Sequence, residues 1–377
     1  HHDAWVNGAS DPVSGMAPVL EEARAIGQLV KQGWTPKRTL VYAAWDGEEP
    51  GLLGSTEWAE ANAAAVSAHA VAYINVDAAC SGRELRANGS HALRDVVAEV
   101  IRDVRDPGAN RPLWNIAVER AWNEGKSAWS AANRRRRDRR EPVRPFEWNL
   151  APLGSGSDYT AFVDHLGVPS LDLRFEGMHG TYHSIYDDFE YVDKVVDPGF
   201  QYHATLTEVW NRLTMRLADA PVLPLRYSVT GQFALDELQS LEDRADDAGA
   251  GKPDSARFTA PLDAPRAAAT RLRDSARALE QRSDAALRGA GAWPTGGCEG
   301  VNAALMGAER ALLGPGLPGR TWFRHELYAP GLNTGYAPVP LPRLGQAVLD
   351  NDARAWAQGV DPIAQALAQA AARLELK

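Results

Sequence analysis

Helical and extended patterns alternate along the first 220 residues of this 377-residue chain, and no other feature limits its possible folds as strongly. Apolar residues between Val19 and Val30 recur at helical spacing, and Gly33 follows as a helix-ending glycine would. Residues 158–166 have the pattern of a short helix. The predicted strands are short apolar runs rich in strand formers, at residues 39–45, 71–77 and 170–175. This alternation predicts an α/β sandwich with a mostly parallel mixed sheet.

The composition changes after about residue 220, where alanine, leucine and arginine become frequent at helical spacing. A polar, glycine-containing linker is predicted at residues 245–254. The predicted helices beyond it cover residues 267–287, 301–312 and 352–376. We therefore predict two domains, an α/β domain over residues 1–220 and an α-helical domain over residues 221–377.

The charge excludes some partners. The chain has 40 Lys and Arg against 49 Asp and Glu, a net charge of −9, so nucleic acid and anionic membranes are not expected partners. Six arginines crowd into residues 134–140, and we interpret this run as a solvated loop because no aromatic-rich surface surrounds it. No stretch of 18 apolar residues predicts a membrane segment. Two cysteines, Cys80 and Cys298, leave the redox state open.

Acidic residues and histidines collect where predicted strands end, which is where sites form in open α/β sheets. Glu48 and Glu49 directly follow a predicted buried strand. Two adjacent carboxylates near a core repel each other unless a cation or a proton relieves them. Histidine nitrogen and carboxylate oxygen are ligands that zinc accepts, so this end of the sheet is predicted to bind metal.

Several spaced motifs, in order, resemble the di-zinc peptidases of the glutamate carboxypeptidase II and transferrin-receptor-like family. The motifs are His1-x-Asp3-x-Trp5-x-x-Gly8-x-x-Asp11-Pro12, Trp45-Asp-Gly-Glu48-Glu49-x-Gly51, Tyr73-Ile-Asn-x-Asp77, Leu153-Gly-Ser-Gly-Ser-Asp158, Tyr182-His183-Ser-x-Tyr186 and Arg320-x-x-x-Arg324-His325-x-x-Tyr328-Ala-Pro330. The last of these resembles the family's helical dimerisation domain, so the resemblance covers nearly the whole chain. It implies a zinc-peptidase sandwich followed by a domain that forms homodimers.

By position, the resemblance implies two zinc ions per chain. His1 and Asp77 would hold one ion, Glu49 and His183 the other, and Asp11 would bridge them. Two zinc ions carry four positive charges, which three carboxylates and one hydroxide neutralise. This arrangement hydrolyses peptide bonds in the family.

Three further residues have roles that the resemblance implies. Glu48 would be the general base, and Asp3 would orient the His1 ring through its other nitrogen. The Tyr182 hydroxyl would hydrogen-bond the oxyanion, although a packed aromatic next to His183 is the alternative.

The residues expected to contact substrate depart from the family's glutamate-binding pattern. Asp172 replaces one arginine of a pair whose other member matches Arg174, and Gly335 replaces a lysine that precedes Tyr336. Ser157 replaces an asparagine. Such a pocket would hold an acidic side chain less well, and Asp172 would instead receive an α-ammonium. We therefore expect an aminopeptidase or dipeptidase, with glutamate carboxypeptidase as the alternative.

Other classes and sites stay open. A non-catalytic receptor of the same fold predicts damaged ligand positions, whereas all five are intact, and a helical interaction module with an inert α/β domain leaves the Glu48-Glu49 pair unexplained. Glu57 and Glu60 resemble part of a family calcium site, although solvated acids on a helix are the alternative. Because a ligand stands at residue 1, we expect a truncated chain that lacks the family's preceding strands and apical domain. The family also implies an extracytoplasmic location.

Overall fold

A computed structural model describes residues 1–177, 180–249 and 258–377. Its helices are α1 Val13–Lys31, α2 Leu53–Ala61, α3 Ala63–His69, α4 Arg94–Asp103, α5 Leu113–Asp138, α6 Phe189–Tyr191, α7 Gln201–Asp219, α8 Tyr227–Gly249, α9 Asp263–Leu287, α10 Gly297–Arg310, α11 Pro342–Leu349 and α12 Ala353–Leu374. Its strands are β1 Tyr73–Asn75, β2 Glu84–Gly89 and β3 Ser170–Glu176. In the first half, the helices therefore hold many more residues than the small sheet does.

The sheet of the described residues is mixed, with the strand order β1, β3, β2. β1 runs parallel to β3 with Tyr73 opposite Ser170, whereas β2 runs antiparallel to β3 with Glu84 opposite Glu176. The prediction of an α/β fold is confirmed, but the mostly parallel sheet is not, since one of the two pairings is antiparallel. Strand β2 was not predicted because its polar residues and terminal glycine have low strand propensity.

The strand predicted at residues 39–45 is wrong, since this segment forms no strand. A strand requires a neighbouring strand that completes its hydrogen-bond ladder. Strand β1 makes its ladder with β3 and not with residues 39–45. Val41 is 74% exposed, so the segment also lacks the burial expected of a central strand. Two hydrogen bonds hold the last residue of the segment, Trp45. Its carbonyl accepts from the His2 backbone amide at 2.9 Å, and its indole donates to the Tyr73 hydroxyl at 3.0 Å.

The central strand β3 lies in the core, because Leu171, Leu173 and Phe175 are at most 1% exposed. Helices α4 and α7 pack against this part of the molecule and bury Ile101 and Trp210 completely. One hydrophobic cluster includes these residues and continues into the helices of the second half. The two halves therefore share a core.

The helices predicted in the second half are confirmed at α9, α10 and α12. In α9, Leu272, Ala276 and Leu279 follow the spacing of one helix face and are at most 2% exposed. Helix α12 begins after Asp352, whose carboxylate accepts from the Arg354 and Ala355 amides at 2.9 and 3.0 Å. The linker predicted at residues 245–254 lies partly outside the described residues, and α8 extends to Gly249. No helix among the described residues is long and apolar enough to cross a membrane.

The arginine run at residues 134–140 is not a loop, because most of it forms the last turns of α5. Arg135 pairs with Asp247 at 2.8 Å, and Arg139 pairs with Asp243 at 3.0 Å. These acids belong to α8, so the basic run is partly neutralised within the molecule.

Candidate metal centre

The His1 imidazole lies among three carboxylates, and only 4% of the residue is exposed. Its Nε2 is 2.9 Å from Asp77 Oδ1, 3.2 Å from Asp11 Oδ1 and 3.6 Å from Glu48 Oε2. Asp77 follows β1, and Asp11 directly precedes Pro12 at the start of α1. The end of a strand and the start of a helix therefore meet at one histidine nitrogen.

The His183 imidazole makes the second half of the arrangement. Its Nε2 is 3.1 Å from Asp11 Oδ2 and 3.3 Å from Glu49 Oε2. Asp11 thus directs one carboxylate oxygen toward each histidine. The His183 backbone has φ 56°, a left-handed conformation that is strained for a residue with a side chain and that is found mostly at functional sites.

Backbone hydrogen bonds hold these side chains in place. The two carboxylate oxygens of Asp3 accept from the Glu48 and Glu49 amides, both at 3.1 Å. The His1 Nδ1 atom lies 2.9 Å from the Asp3 carbonyl oxygen and 3.3 Å from its carboxylate. Asp3 therefore fixes both the His1 ring and the turn that carries the two glutamates.

Asp187 fixes the backbone at Asp11 through hydrogen bonds. Its two carboxylate oxygens accept from the Ser10 amide at 2.8 Å and from the Asp11 amide at 3.0 Å. Sequence reasoning missed Asp187, because nothing in its neighbourhood distinguishes it from the acidic residue that follows it. Asp158, which is 1% exposed and close enough to influence the Glu48 pKa, was also missed as a residue of the site.

The electrostatics show that the centre lacks positive charge. Burial raises the pKa of Glu48 to about 8, and the charge of Asp77 adds to this shift while that of His1 opposes it. Burial lowers the pKa of His1, but the hydrogen bonds with Asp11 and Asp77 and the neighbouring negative charges outweigh burial and raise it to about 12. Protons are thus retained where carboxylates crowd together, as expected at a cation site.

These residues fit a metal ion. One ligand atom from each of His1, Asp11 and Glu49 lies within 4.8 Å of the other two. The same holds for His1, Glu48 and Asp77. Among the described residues, buried Asp11 Oδ1 has no hydrogen-bond partner apart from the contact with His1 Nε2 at 3.2 Å, so a strong acceptor faces the centre incompletely satisfied. Imidazole and carboxylate donors suit zinc.

A cavity of about 630 Å³ opens over the centre. Tyr182 lines it, is 58% exposed and stacks on the His183 ring with 3.6 Å between ring centroids. The opposite wall comes from the second half of the chain and includes Arg320, Trp322 and Tyr336. Arg320 was identified only as part of the dimerisation-domain motif, and Trp322 was not singled out, because neither stands near the ligand motifs.

The other residues expected to contact substrate do not line the cavity. Ser157 is buried and accepts from the Asn75 amide group at 2.8 Å. Asp172 is buried, accepts from Asn75 at 3.3 Å and lies 3.7 Å from Arg174. None of Ser157, Asp172 and Arg174 lines the cavity.

The two glutamates considered for calcium are exposed on α2. The Glu60 carboxylate accepts from the Trp322 indole at 2.6 Å. His165 stacks on the same indole with 4.6 Å between ring centroids. Glu60 therefore fixes an aromatic wall of the cavity, and calcium at Glu57 and Glu60 stays a prediction.

Comparison with known proteins identifies the family. Residues 1–197 match peptidase family M28, and residues 261–375 match the transferrin receptor-like dimerisation domain. The chain therefore belongs to peptidase family M28. It is similar to members of the glutamate carboxypeptidase group, as the motifs predicted.

Three relatives illustrate this similarity. The probable glutamate carboxypeptidase LAMP1 of Arabidopsis thaliana is 34% identical over 92% of this chain and 46% of its own length. Aminopeptidase NAALADL1 of Mus musculus is 33% identical over 95% of this chain and 47% of its own length. The probable glutamate carboxypeptidase VP8 of Zea mays is 32% identical over 88% of this chain and 42% of its own length. The chain thus spans less than half the length of these relatives.

Proposed function

We propose that this chain carries the catalytic centre of a di-zinc exopeptidase. His1 and Asp77 would hold one zinc ion, Glu49 and His183 the other, and Asp11 would bridge them. The observation that carries this proposal is that the two oxygens of Asp11 lie 3.2 and 3.1 Å from the two histidine nitrogens. A carboxylate shared in this way is what two ions a few ångströms apart require.

Two zinc ions, when bound, would activate water and polarise the carbonyl of the scissile peptide bond. Glu48 is the candidate general base, because its Oε2 lies 3.6 Å from His1 Nε2 and therefore reaches the same space. A carboxyl whose pKa is raised by burial accepts a proton near neutral pH and returns it to a leaving amine.

Tyr182 is the candidate donor to the oxyanion. Burial and nearby charges raise the pKa of its phenol, so the hydroxyl keeps its proton at neutral pH. Stacking on His183 restricts the ring beside a ligand position. A hydrogen bond made only when negative charge develops on the carbonyl oxygen lowers the barrier to reaction.

For the substrate we propose an aminopeptidase or dipeptidase specificity. Gly335 offers no positive charge beside Tyr336, where the glutamate-binding pattern has a lysine, so an acidic group of the substrate would lose one partner. A relative named as an aminopeptidase is 33% identical. Because Asp172 does not line the cavity, it would not meet the α-ammonium of a substrate there.

Glutamate carboxypeptidase is the second candidate, and Arg320 favours it. This arginine lines the cavity and lies over the Phe323 ring, 4.3 Å from its centroid. A guanidinium in that position would pair with a substrate carboxylate. Relatives named as probable glutamate carboxypeptidases are 34% and 32% identical.

The assembly and location of the protein are also proposals. We propose a homodimer formed through residues 221–377, since residues 261–375 match a dimerisation domain. The division at residue 220 rests on the change in composition, and an extracytoplasmic location rests on family resemblance.

The catalytic proposal is tested with the zinc-loaded chain and the variants Glu48→Gln and Asp11→Asn. Glu48→Gln should bind as much zinc as the wild type and lose at least 99% of the turnover, about a hundredfold effect of a general base. Asp11→Asn should lose the zinc of the centre as well as activity. Retained hydrolysis by Glu48→Gln would overturn the role of Glu48, and full zinc binding by Asp11→Asn would overturn the bridge.

The specificity proposal is tested with matched peptides that have free or acetylated N-termini and free or amidated C-termini. Cleavage that needs the free N-terminus supports the aminopeptidase, whereas cleavage that needs the free C-terminus supports the carboxypeptidase. In the second case Arg320→Ala should raise KM more than it lowers kcat. No cleavage of any peptide by a zinc-loaded chain would support a receptor-like protein.

A further inference from the structure

A second group of metal-ligand side chains lies outside the cavity, formed by Cys80, Asp197 and His203. All three are buried, with Cys80 at 0% and Asp197 at 1% exposure. Their donor atoms lie within 4.8 Å of one another. None of them lines the cavity or takes part in the function proposed above.

The Asp197 carboxylate is the centre of this group. Its Oδ2 lies 2.7 Å from His203 Nδ1 and 3.9 Å from Cys80 Sγ, and it also accepts from the His203 amide at 3.0 Å. Asp197 precedes α7 and His203 lies in its first turn, whereas Cys80 follows β1. One oxygen therefore gathers three donors from two separate parts of the fold.

The group is attached to the loop that holds Asp11. The Cys80 amide donates to Ser14 Oγ at 3.0 Å, and the Cys80 carbonyl accepts from Ser10 Oγ at 3.2 Å. Ser14 Oγ in turn donates to the Ser10 carbonyl. Ser10 and Ser14 flank Asp11, so an anchor at Cys80 restrains the candidate bridging residue.

The donor set suits a borderline divalent cation. Zinc accepts thiolate sulfur, imidazole nitrogen and carboxylate oxygen. A thiolate, a carboxylate and a neutral imidazole cancel the two charges of the ion, and burying a neutral group costs far less than burying a net charge. Binding would release the thiol proton to solvent, so the charge balance is complete.

Zinc binding would require small shifts of these side chains. Ligand atoms around four-coordinate zinc lie about 3.2 to 3.8 Å apart, because the bonds are about 2.0 to 2.3 Å long. The separation of 2.7 Å between Asp197 and His203 is shorter than that range, and the separation of 3.9 Å between Asp197 and Cys80 is slightly longer.

The alternative is a hydrogen-bond network in which the thiol donates to Asp197. Burial raises the pKa of Cys80 far above its usual range, and the charge of Asp197 adds to the effect while that of Arg83 opposes it. In that network Cys80 stays an inert thiol. The two alternatives therefore differ in the protonation of sulfur, which spectroscopy detects.

We propose that Cys80, Asp197 and His203 form a third metal site, which holds a structural zinc ion and anchors the loop that carries Asp11. The three side chains would supply three of the four ligands of the ion. This site is independent of the catalytic proposal, since no ligand is shared.

Cobalt titration of the metal-free chain tests the site. Cobalt bound to a thiolate gives a charge-transfer absorption in the near ultraviolet, and the candidate catalytic centre contains no sulfur ligand. We expect this absorption to saturate at one ion per chain, to be lost in Cys80→Ser and to persist in Cys298→Ser, the matched control. It should also persist in Asp11→Asn, which separates this site from the candidate centre.

A second measurement does not depend on whether Cys80→Ser folds. X-ray absorption of the zinc-loaded chain should show sulfur at about 2.3 Å from zinc. The scattering should correspond to one sulfur for three zinc ions, and Cys298→Ser should not change it. The absence of a zinc–sulfur distance, or a cobalt absorption that survives Cys80→Ser, would overturn the third site.

Discussion

At the scale of single residues, the motifs identified side chains that the structure brings together around two histidines, but they did not identify Asp187 and Asp158, which support them. His1, Asp11 and His183 converge although 172 positions separate the last two. Asp172 shows why substrate contacts were harder to predict. Its side-chain direction depends on the strand register that pairs it with Asn75, and a linear motif does not encode that register.

Asp3 provides a prediction at this scale. Asp3→Ala removes the acceptors for the Glu48 and Glu49 amides and the carboxylate beside the His1 ring. Residues that orient ligands in this way contribute about 10-fold to 100-fold to metal affinity, and we expect a loss of that size. Competition with a chromogenic zinc chelator measures it. Asp46→Asn, an exposed acid in the same turn, is the control, and equal affinity in both variants would contradict the role of Asp3.

At the scale of elements, long helices with a periodic apolar face were predictable, whereas strands were predictable only in part, since β1 and β3 lie where strands were predicted. The period of α9 alone determines which of its faces is buried. Residues 39–45 have strand propensity but no neighbour that completes a ladder, and β2 has a ladder despite poor propensity. Strand formation depends on distant partners, and local composition does not specify them.

Gly15 in α1 provides the prediction for this scale. A Cβ atom at Gly15 would lie 2.1 Å from the Asp77 carbonyl oxygen, so α1 and the residue after β1 meet at this point. We expect Gly15→Ala to lower the free energy of unfolding by about 1 to 3 kcal/mol and to weaken zinc binding, because Asp77 must move.

Gly27→Ala in the same helix is the matched control, because no atom lies within 4 Å of its added Cβ. It should raise the free energy of unfolding by about 0.5 to 1 kcal/mol, since alanine favours helix over glycine. Urea unfolding and zinc affinity measure both variants. If Gly15→Ala were as stable as Gly27→Ala, the close approach of α1 to Asp77 would be refuted.

At the scale of the whole molecule, the two halves meet at a buried hydrogen-bond network. The His91 amide and Nδ1 lie 3.1 and 2.8 Å from the Tyr328 hydroxyl, and the His91 ring stacks on Phe233. The sequence predicted both halves but not this contact, because His91 and Tyr328 are 237 positions apart. The shared core likewise comes from packing that no single segment specifies.

His91 makes the stability of the molecule depend on pH. Burial lowers its pKa from 6.5 to about 3, and the charge of Arg94 acts in the same direction. Between these values the unfolded chain binds a proton that the folded chain does not, so the free energy of unfolding falls as pH drops below 6.5. The slope of this contribution approaches about 1.4 kcal/mol per pH unit.

The variant His91→Gln keeps a hydrogen-bonding side chain but does not titrate. We expect the difference in unfolding free energy between wild type and variant to shrink steadily from about pH 6.5 to pH 4.5. Urea unfolding at several pH values measures it, and the exposed His69→Gln should follow the wild type. Parallel profiles for wild type and His91→Gln would show that this histidine is not the acid-sensitive group.

The wall formed by Arg320, Trp322 and Tyr336 has an evolutionary consequence. These side chains face the candidate ligands across the cavity, yet they lie in the segment that matches a dimerisation domain rather than in the one that matches a peptidase. Under the proposed function, mutation there would change which peptides fit without disturbing any candidate metal ligand. Substrate specificity would therefore diverge among related proteins through substitutions in the segment that matches the dimerisation domain, while the candidate metal ligands stay unchanged.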